Sequence, residues 1–367
     1  MSSTATSPPA HDPDPIPRDL TDAISRTLDE FIDAKQEQLE AVGSDLRPLF
    51  DAARTALTGG KRLRPAFAYW GWRAAGGSPG KAEPVLVAGA AIELVHASAL
   101  THDDVMDDSA TRRGRPSAHD EFTRLRRADV SAQSAARFGH SAAILLGDLL
   151  LSWSDELLSS SGIAPKALAR GRVYFDQLRT EVVAGQYLDV LAQTSDRSSA
   201  ADAMRVIRYK SAKYTIERPL QFGAAIANAD ARLLGALSSY GVPLGEAFQL
   251  RDDVLGIFGE EQLTGKPSGD DIREGKRTLL LARAYDKADP RQREVLRNNV
   301  GHAEIDDEGI AAVQAVIRDT GALAAVETVI SELTSASLSA LQHCHLESTE
   351  VREALRVLTA RVTQRSV

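Results

Sequence analysis

From about Leu20 to the C-terminus, apolar residues recur at intervals of three and four, which is the spacing of one face of an α-helix. Alternating apolar and polar runs bounded by turn residues, which would indicate strands, are scarce. One helical run consists of Leu145, Leu146, Leu149, Leu150, Trp153 and Leu157. The sequence therefore predicts an all-α protein.

Segments rich in glycine and proline predict where the helices end. We expect breaks near residues 58–65, 76–84, 111–117, 160–165, 241–243 and 259–276. Five of the fifteen prolines lie within the first 17 residues, so residues 1–19 are expected to form a disordered tail. Because no linker rich in proline, glycine and serine follows, residues 20–367 are expected to form one domain.

Composition argues against several classes of protein. The chain has 51 acidic and 43 basic residues, a balance that argues against binding to nucleic acid. We find no apolar run near the ~20 residues that cross a bilayer, so we expect no membrane span. Cys344 is the single cysteine and cannot form an internal disulfide, which favours a cytoplasmic location.

The most informative segment is His102-Asp103-Asp104-Val105-Met106-Asp107-Asp108, which ends a strongly apolar helix. Asp103 and Asp107 are four residues apart, so their carboxylates share one helix face, with ~5–6 Å between Cβ atoms. Their repulsion is relieved if a divalent cation lies between them, and carboxylate oxygens suit Mg²⁺. An acidic helix end exposed to water is the alternative for this motif taken alone.

A second acidic motif makes a metal site the preferred interpretation. The segment Phe248–Gly256 again places two aspartates, Asp252 and Asp253, at the end of an apolar helical stretch. Gly256 stands where the first motif has Asp107. We therefore expect fewer carboxylates and a less crowded ion at the second motif.

Basic residues at turns are candidate partners for an anion. In Gly59–Pro65, a glycine turn precedes the cations Lys61, Arg62 and Arg64 at the start of the next helix, where phosphate groups bind readily. A solvated basic loop is the alternative for this turn alone. Two adjacent arginines follow the first acidic motif, and each can form a bidentate contact with a phosphate group. The further candidates are His96, Arg112, Arg113, Lys210, Lys266 and Lys276.

Together, these motifs resemble those of the trans-isoprenyl diphosphate synthases, in that family's order, from about Gly59 to Thr278. The resemblance is greatest to bacterial geranylgeranyl diphosphate synthases. It implies a single-domain helical bundle around a central cavity, the isoprenoid synthase fold, and a homodimer. It also implies a Mg²⁺-dependent prenyltransferase with three ions per active site. The substrates would be isopentenyl diphosphate and a dimethylallyl, geranyl or farnesyl diphosphate.

The resemblance also assigns roles to residues. The metal ligands would be Asp103, Asp107, Asp252 and Asp253. The isopentenyl diphosphate site would comprise Lys61, Arg64, His96 and Arg113. The allylic diphosphate side would comprise Arg112, Lys210, Gln249, Lys266 and Lys276. Catalysis would depend most on Asp103, Asp107, Lys210, Gln249 and Asp252.

Further expectations concern the cavity itself. Gln249 and the hydroxyl of Ser211 would present oxygen dipoles to the allylic carbocation. Many family members have threonine at the position of Ser211, and this change keeps the hydroxyl. Residues 144–148 and 185–189 resemble family segments that line the cavity.

The length of the product is expected to depend on the helix that carries Asp103. Residues one and two turns before Asp103 would form the wall of the cavity, namely Val95, Ser98 and Ala99. Ser98 and Ala99 are small where bulky aromatics stop growth at fifteen carbons in the family, so geranylgeranyl diphosphate is the predicted product. Tyr174 or Phe175 could set the floor instead. A farnesyl or longer-chain (C25 or more) synthase, a class I terpene cyclase and a non-catalytic partner subunit are the competing interpretations.

Overall fold

In the computed structural model, residues 16–194, 199–259, 269–302 and 304–364 are described, and helices form nearly all of their regular structure. The strands in these ranges are the two-residue segments Thr111–Arg112 (β1) and Arg115–Pro116 (β2). They pair antiparallel, with Thr111 opposite Pro116. The predicted all-α class is therefore confirmed.

The first half of the chain contains seven α-helices within the described ranges. They are α1 (Arg18–Leu39), α2 (Arg47–Leu57), α3 (Leu63–Ala74), α4 (Glu83–Met106), α5 (Ala118–Arg126), α6 (Ala132–Ser159) and α7 (Pro165–Gln193). Short 3₁₀ turns lie between some of them, at Glu40–Val42, Ser44–Leu46 and Pro79–Lys81.

The second half contains shorter helices around one long helix. In order they are α8 (Ala200–Val206), a π-helical segment (Ile207–Glu217), α9 (Arg218–Ile226), α10 (Ala231–Phe258), α11 (Asp270–Arg273), α12 (Leu279–Lys287), α13 (Pro290–Asn299), α14 (Asp307–Asp319), α15 (Ala322–His343) and α16 (Thr349–Thr363).

The predicted break at residues 241–243 is wrong, because α10 continues through it with Pro243 inside the helix. Gly241 is explained by packing instead, since a Cβ at this position would lie 3.1 Å from Cα of Glu217. The breaks at 58–65, 76–84, 111–117 and 160–165 are confirmed. The last predicted break includes residues 260–268, which lie outside the described residues.

The predicted tail ends earlier than residue 19. Ile16 is buried, and α1 begins at Arg18. Pro17 precedes this helix with a φ of −55°, and its carbonyl oxygen accepts the first backbone hydrogen bonds, from Leu20 and Thr21. The remaining tail prediction, for residues 1–15, lies outside the described residues.

The helix α4 is a core element. Residues 88–95 are all buried, and five of them are alanine, glycine or valine. By length and composition α4 could cross a membrane, which was not expected from the sequence, but 67% of its most apolar window is buried. This composition is typical of the buried helix of a bundle. The helices α14 and α15 are long and apolar enough to cross a membrane only if they are taken together, and they are bent by 64° where they meet.

The long helix α10 contributes to two hydrophobic clusters. Its residues 237–248 pack in the cluster formed mainly by α1–α7 and α9, and residues 247–257 pack with α12, α14 and α15. One helix thus connects the two clusters, and the second aspartate motif lies near its C-terminal end. The single-domain assignment of residues 20–367 stays a prediction.

The chain between α8 and α9 is π-helical over Ile207–Glu217, which the sequence did not predict. Helices of this type are rare and are frequently found at functional sites. The segment carries four residues whose side chains contact predicted site residues, namely Lys210, Ser211, Tyr214 and Thr215.

Candidate functional site

The first aspartate motif ends α4, opposite α7 and the π-helical segment. Asp103 accepts hydrogen bonds from Gln186 Nε2 at 2.9 Å and from Lys210 Nζ at 3.0 Å. Lys210 also donates to Asp189 Oδ2 at 2.6 Å. Burial by itself raises the pKa of Asp103. The positive charges of Lys210, Lys276 and Arg112 outweigh burial and leave that pKa below its ordinary value. Asp103 is therefore a charged carboxylate at neutral pH.

Gly185 allows α7 to approach the π-helical segment closely enough for these contacts. A Cβ at Gly185 would lie 2.2 Å from the backbone nitrogen of Lys210. Any larger residue would separate the two elements, because the obstacle is backbone and not the end of a flexible side chain. Gly185 thus fixes the position of Lys210 relative to Asp103 and Asp189.

Asp107 has the features of a metal ligand. Its Oδ2 atom is buried and has no hydrogen-bond partner among the described residues. Burial, and then the negative charge of Asp103, raise the pKa of Asp107 from 3.8 to about 6. A divalent cation between the two carboxylates would satisfy the buried oxygen and relieve their repulsion. The residues present therefore fit the Mg²⁺ that the sequence predicts.

The second aspartate motif lies at the end of α10. The buried side chain of Asp253 accepts a hydrogen bond from Gln249 Nε2 at 2.8 Å. Gln249 in turn accepts one from Ser211 Oγ at 2.6 Å. Burial, and then the negative charge of Asp271, raise the pKa of Asp253 from 3.8 to about 7. Asp252 is less buried than Asp253. In each motif, burial and a neighbouring carboxylate thus disfavour the charged form of one aspartate, Asp107 in the first and Asp253 in the second.

The helix α11 adds an acidic residue that the motif spacing does not reveal. Asp271 lies next to Gly256, where the second motif lacks its last aspartate. The motif on α10 has fewer carboxylates than the first, as expected, but a further carboxylate lies beside it. The extra carboxylate comes from a helix that follows later in the chain.

Lys276 lies between the two motifs. Its Nζ atom is 3.3 Å from Asp271 Oδ1 and 2.6 Å from Glu274 Oε2. Glu274 also accepts a hydrogen bond at 2.8 Å from Ser109 Oγ, which follows the first motif. The turn after the first motif is therefore in direct contact with the C-terminal end of α11.

The charge of Lys276 acts on carboxylates of both motifs. Burial by itself lowers the pKa of Lys276, but the charges of Asp271 and Glu274 outweigh burial and place the pKa well above its ordinary value. The positive charge acts to lower the pKa values of Asp103, Asp107 and Asp253. The structure therefore brings the two predicted aspartate motifs into one site.

Two predicted basic residues meet at Tyr214. The guanidinium of Arg64 lies 4.3 Å from the centroid of the Tyr214 ring, and its Nη2 donates to Thr215 Oγ1 at 3.0 Å. His96 Nδ1 lies 3.1 Å from the Tyr214 hydroxyl. Burial, and then the positive charges of Arg64 and Arg113, lower the pKa of His96 well below its ordinary value. His96 is therefore neutral at neutral pH.

The β1–β2 hairpin presents its two arginines to different parts of the site. Arg112 Nε donates to Asp104 Oδ1 at 2.8 Å, and its Nη2 lies 3.7 Å from Asp103 Oδ2. Arg113 has a left-handed φ of 53°, and its Nη1 donates to the carbonyl of Thr58 at 2.9 Å. Arg112 thus lies beside the aspartates of the first motif, and Arg113 lies beside the basic turn.

One cation of the basic turn has a structural role. Arg62 has a left-handed φ of 49°, and its buried guanidinium pairs with Glu93 Oε2 at 2.7 Å. It also donates to the carbonyl of Leu57 at 2.8 Å. These bonds fix the turn between α2 and α3, which carries Lys61 and leads into Arg64. Lys61 is exposed on this turn.

A cavity of about 340 Å³ lies beside this turn and the hairpin. Its lining includes Gly59, Thr101, Asp104, Arg112 and Arg113. The four predicted metal-binding aspartates are not part of the lining. The cavity is therefore adjacent to the basic side of the site and does not reach the metal-binding side.

The remaining predicted residues are placed as follows. Lys266 lies outside the described residues. Of the residues predicted to limit product length, Val95 and Ser98 are buried and Ala99 is half-buried. Of the two other candidates for the floor, Tyr174 is half-buried. Phe175 is buried and packs against Phe222 at 6.1 Å between ring centroids.

No residue of the two segments that were expected to line the cavity belongs to the lining of the cavity described above. Gln186 and Asp189 contact the site, but Tyr187 is 68% exposed. Ile144 and Leu145 are also exposed, whereas Leu146 is fully buried. A helix turns its residues to all sides, so a segment of five residues cannot face one cavity throughout.

Comparisons with known proteins identify what the chain resembles. The sequence model of the family described as polyprenyl synthetase matches residues 47–317. A short chain isoprenyl diphosphate synthase of Methanothermobacter thermautotrophicus is 31% identical over 341 residues, covering 92% of this chain and 97% of that protein. A geranylgeranyl diphosphate synthase of Mycobacterium tuberculosis is 30% identical over 337 residues, covering 89% and 90%. A crystal structure of geranylgeranyl pyrophosphate synthase from Corynebacterium glutamicum, complexed with isoprenyl diphosphate and magnesium, is 42% identical, with a TM-score of 0.91 and coverage of 95% and 99%.

Proposed function

The chain belongs to the polyprenyl synthetase family and is a prenyltransferase, and we propose that it condenses isopentenyl diphosphate with an allylic diphosphate to give geranylgeranyl diphosphate. The observation that carries this proposal is a set of contacts near both aspartate motifs: Lys276 pairs with Asp271 beside the second motif and with Glu274, and Glu274 also binds Ser109, which follows the first. Two anionic substrates and their metal ions require this combination of charges.

The aspartates Asp103, Asp107, Asp252 and Asp253 are the proposed ligands of Mg²⁺. The buried Oδ2 of Asp107 and the raised pKa values of Asp107 and Asp253 support this assignment. The magnesium and isoprenyl diphosphate in the Corynebacterium glutamicum structure support it further. When bound, Mg²⁺ would neutralise negative charge on the leaving diphosphate. Three ions per site stay a prediction.

Lys210 and Lys276 are the proposed cations of the allylic diphosphate side, together with Arg112. Burial by itself lowers the pKa of Lys210, but Asp103 and Asp189 outweigh burial and leave that pKa above its ordinary value. Both lysines are therefore charged at neutral pH. Fixed positive charges beside the diphosphate stabilise the negative charge that develops as the allylic C–O bond breaks.

Lys61, Arg64, His96 and Arg113 are the proposed ligands of isopentenyl diphosphate. The Nε atom of Arg64 is buried and has no hydrogen-bond partner among the described residues. Burial and the neighbouring arginines also lower the pKa of Arg113, against the opposing effect of Glu93. The positive charges of these arginines are thus concentrated where water is partly excluded. A bound diphosphate would relieve the repulsion between them.

The new bond forms when the double bond of isopentenyl diphosphate adds to the allylic carbocation. Gln249 is held in place by Ser211 and Asp253, so its amide dipole is oriented before the cation forms. We expect the departing diphosphate to accept the proton that is then lost. The buried residues of α4 exclude water, which would otherwise trap the cation.

The predicted product has twenty carbons because α4 presents small side chains before Asp103. Ser98 is buried and Ala99 is half-buried, and neither side chain is large enough to close a cavity along this helix. One turn of helix is 5.4 Å long, roughly the reach of one isoprene unit. A cavity floor that lies one helical turn deeper than in a fifteen-carbon synthase therefore leaves room for one more isoprene unit, which gives geranylgeranyl diphosphate.

A homodimer is the proposed assembly, formed through exposed apolar residues of α6 and α7. Val183, Tyr187 and Leu191 are spaced by four on α7 and are 64%, 68% and 49% exposed. On α6, Ile144 and Leu145 are exposed as well.

These two exposed faces flank the same end of α4. His102 Nε2 lies 3.1 Å from the carbonyl of Ile144, and Met106 Sδ lies 3.8 Å from Gln186 Nε2. An apolar surface of this kind, on two helices beside one site, indicates an interface. A second copy of the chain is the proposed occupant, and a cytoplasmic location stays a prediction.

Incubation with Mg²⁺, isopentenyl diphosphate and each allylic diphosphate in turn tests the proposed function. We expect elongation to geranylgeranyl diphosphate, identified by chromatography of the dephosphorylated products. Asp103→Ala should reduce turnover by several orders of magnitude, whereas Asp51→Ala, at an exposed position on α2, should not. Hydrocarbon formed from one substrate alone would indicate a cyclase, and no product from the folded protein would indicate a partner subunit.

A further inference from the structure

A cluster of three potential metal ligands lies next to the site and is not used by the proposed reaction. It consists of Asp108, His119 and His140, whose ligand atoms all lie within 4.8 Å of one another. Asp108 follows α4 with a left-handed φ of 52°, His119 lies on α5 and His140 lies on α6. The tertiary structure brings these residues together from three separate elements.

Hydrogen bonds orient both histidine rings toward the aspartate. His140 Nδ1 lies 2.8 Å from the carbonyl of Ala136. A carbonyl can only accept, so this nitrogen carries the proton and Nε2 keeps its lone pair. His119 Nδ1 lies 3.2 Å from Ser117 Oγ, and this contact holds the buried His119 ring. The two rings are 5.1 Å apart between centroids.

The distances within the cluster suit a bridging ion better than direct hydrogen bonds. Asp108 Oδ1 lies 3.6 Å from His119 Nε2 and 3.7 Å from His140 Nε2. Hydrogen bonds between nitrogen and oxygen are about 2.7–3.2 Å long, so neither separation is one. Ligand atoms around a tetrahedral zinc ion, with bonds of about 2.0–2.1 Å, lie roughly 3.3 Å apart. The two separations from Asp108 exceed this spacing by only about 0.3–0.4 Å.

The chemistry of the ligand set selects the kind of metal. Two imidazole nitrogens and one carboxylate oxygen suit Zn²⁺ and other divalent transition metals. Mg²⁺ prefers oxygen ligands, which the aspartate motifs provide. The cluster and the aspartate motifs are thus suited to different ions.

We propose that Asp108, His119 and His140 bind one Zn²⁺ ion, or another divalent transition metal, with at least one position open to water. The ion would join the end of α4 to α5 and α6. The β1–β2 hairpin, which carries Arg112 and Arg113, lies in the chain between two of these ligands. Metal binding would therefore hold the hairpin in place and stabilise the protein.

Metal titration of the chelator-treated, dialysed protein tests the proposal. Excess Mg²⁺ is kept in the buffer to compete for the aspartate motifs, and Co²⁺ is the spectroscopic probe because its absorption bands report nitrogen ligands. We expect one equivalent of Co²⁺ to bind, to be displaced by Zn²⁺, and to raise the melting temperature. His140→Ala should weaken binding by at least tenfold, since it removes one of three protein ligands.

Two further variants complete the design. His343→Ala is the matched control, because His343 is exposed and makes the same ring contact to a carbonyl four residues earlier, that of Ser339 at 2.7 Å. It should bind Co²⁺ as the unmodified protein does. Asp108→Asn keeps the shape of the side chain and should also weaken binding. Circular dichroism establishes that each variant is folded.

Two outcomes would overturn the proposal. One is that no Co²⁺ binds in the presence of Mg²⁺, and the other is that the His140 and Asp108 variants bind it as tightly as the control. Either result would show that the three side chains lie close together without forming a metal site. The binding measurement does not depend on prenyl transfer, so it is independent of the proposed function.

Discussion

The Oδ2 atom of Asp271 lies 2.0 Å from the position that a Cβ on Gly256 would occupy. The two residues belong to different helices, α10 and α11, and the absence of a side chain on one makes space for the carboxylate of the other. The second aspartate motif therefore obtains its third acidic group from outside the motif. Asp271 also contacts Lys276 at 3.3 Å, so its position affects the cation between the two motifs.

Gly256→Asp should reduce turnover by tenfold or more, although it makes the second motif more like the first. The new side chain would displace Asp271 from Lys276 and add a negative charge beside Asp253, whose pKa is already raised to about 7. The double variant Gly256→Asp/Asp271→Gly should recover part of the loss, because one carboxylate then replaces the other. Steady-state kinetics measure both effects, and a fully active single variant would show that the two side chains do not compete.

Magnesium binding should become weaker at acid pH. The pKa values of Asp107 and Asp253 are raised to about 6 and about 7, above the 3.8 of an ordinary aspartate. The folded protein therefore binds more protons than the unfolded chain between about pH 4 and pH 7, and the metal-free protein loses stability as pH rises through that range. Mg²⁺ competes with these protons, so its affinity should fall about tenfold per pH unit for each proton released.

Thermal unfolding with and without Mg²⁺ measures this dependence. The increase in melting temperature caused by Mg²⁺ should be larger at pH 8 than at pH 5. Asp107→Asn should reduce the difference between the two pH values. If Mg²⁺ increases the melting temperature equally at pH 8 and pH 5, these carboxylates do not take part in metal binding.

Ala99→Phe should shorten the main product to fifteen carbons or fewer. A phenyl ring one turn before Asp103 would close the cavity along α4. Ala99→Ser is the matched control, because serine is small and should leave the product length unchanged. Chromatography of the products identifies their lengths. If the phenylalanine variant still makes the same product, another helix, such as the one carrying Phe175, sets the floor.

Gly185→Ala should destabilise the protein by about 1–3 kcal/mol and reduce turnover, because the added methyl group meets the backbone of Lys210. Gly235→Ala is a suitable control, since a Cβ at this position in α10 meets nothing within 4 Å. That change should stabilise the helix by about 0.5–1 kcal/mol. Urea unfolding measures both values, and equal stabilities for the two variants would argue against the close approach of α7.

Tyr187→Glu should convert a dimer into a monomer, because it places a charge in the centre of the exposed apolar face of α7. Val42→Glu, which changes an exposed residue in the turn after α1, should leave the dimer intact. Light scattering after size-exclusion chromatography measures the mass of each protein. A Tyr187→Glu variant that stays dimeric would place the interface elsewhere.

The sequence by itself determined the helical class and most of the chemistry. Apolar spacing of three and four predicts helices wherever it occurs, and Asp103 and Asp107 share a helix face because of their separation alone. The same reasoning identified Asp252, Lys210 and the basic turn as candidates. The helix break predicted at Gly241 and Pro243 was wrong, because a proline and a glycine can both be accommodated within a helix when the neighbouring elements require it.

Only the tertiary structure decided which of these groups act together. Residues far apart in the chain lie close together in three places. Lys210 binds Asp189, Asp271 occupies the space beside Gly256, and Asp108 lies near two histidines. A helical pattern fixes the angle of each side chain around its own axis, but not the distance to another helix. That distance depends on the packing of whole elements, such as the close approach at Gly185 and the π-helical segment that carries Lys210.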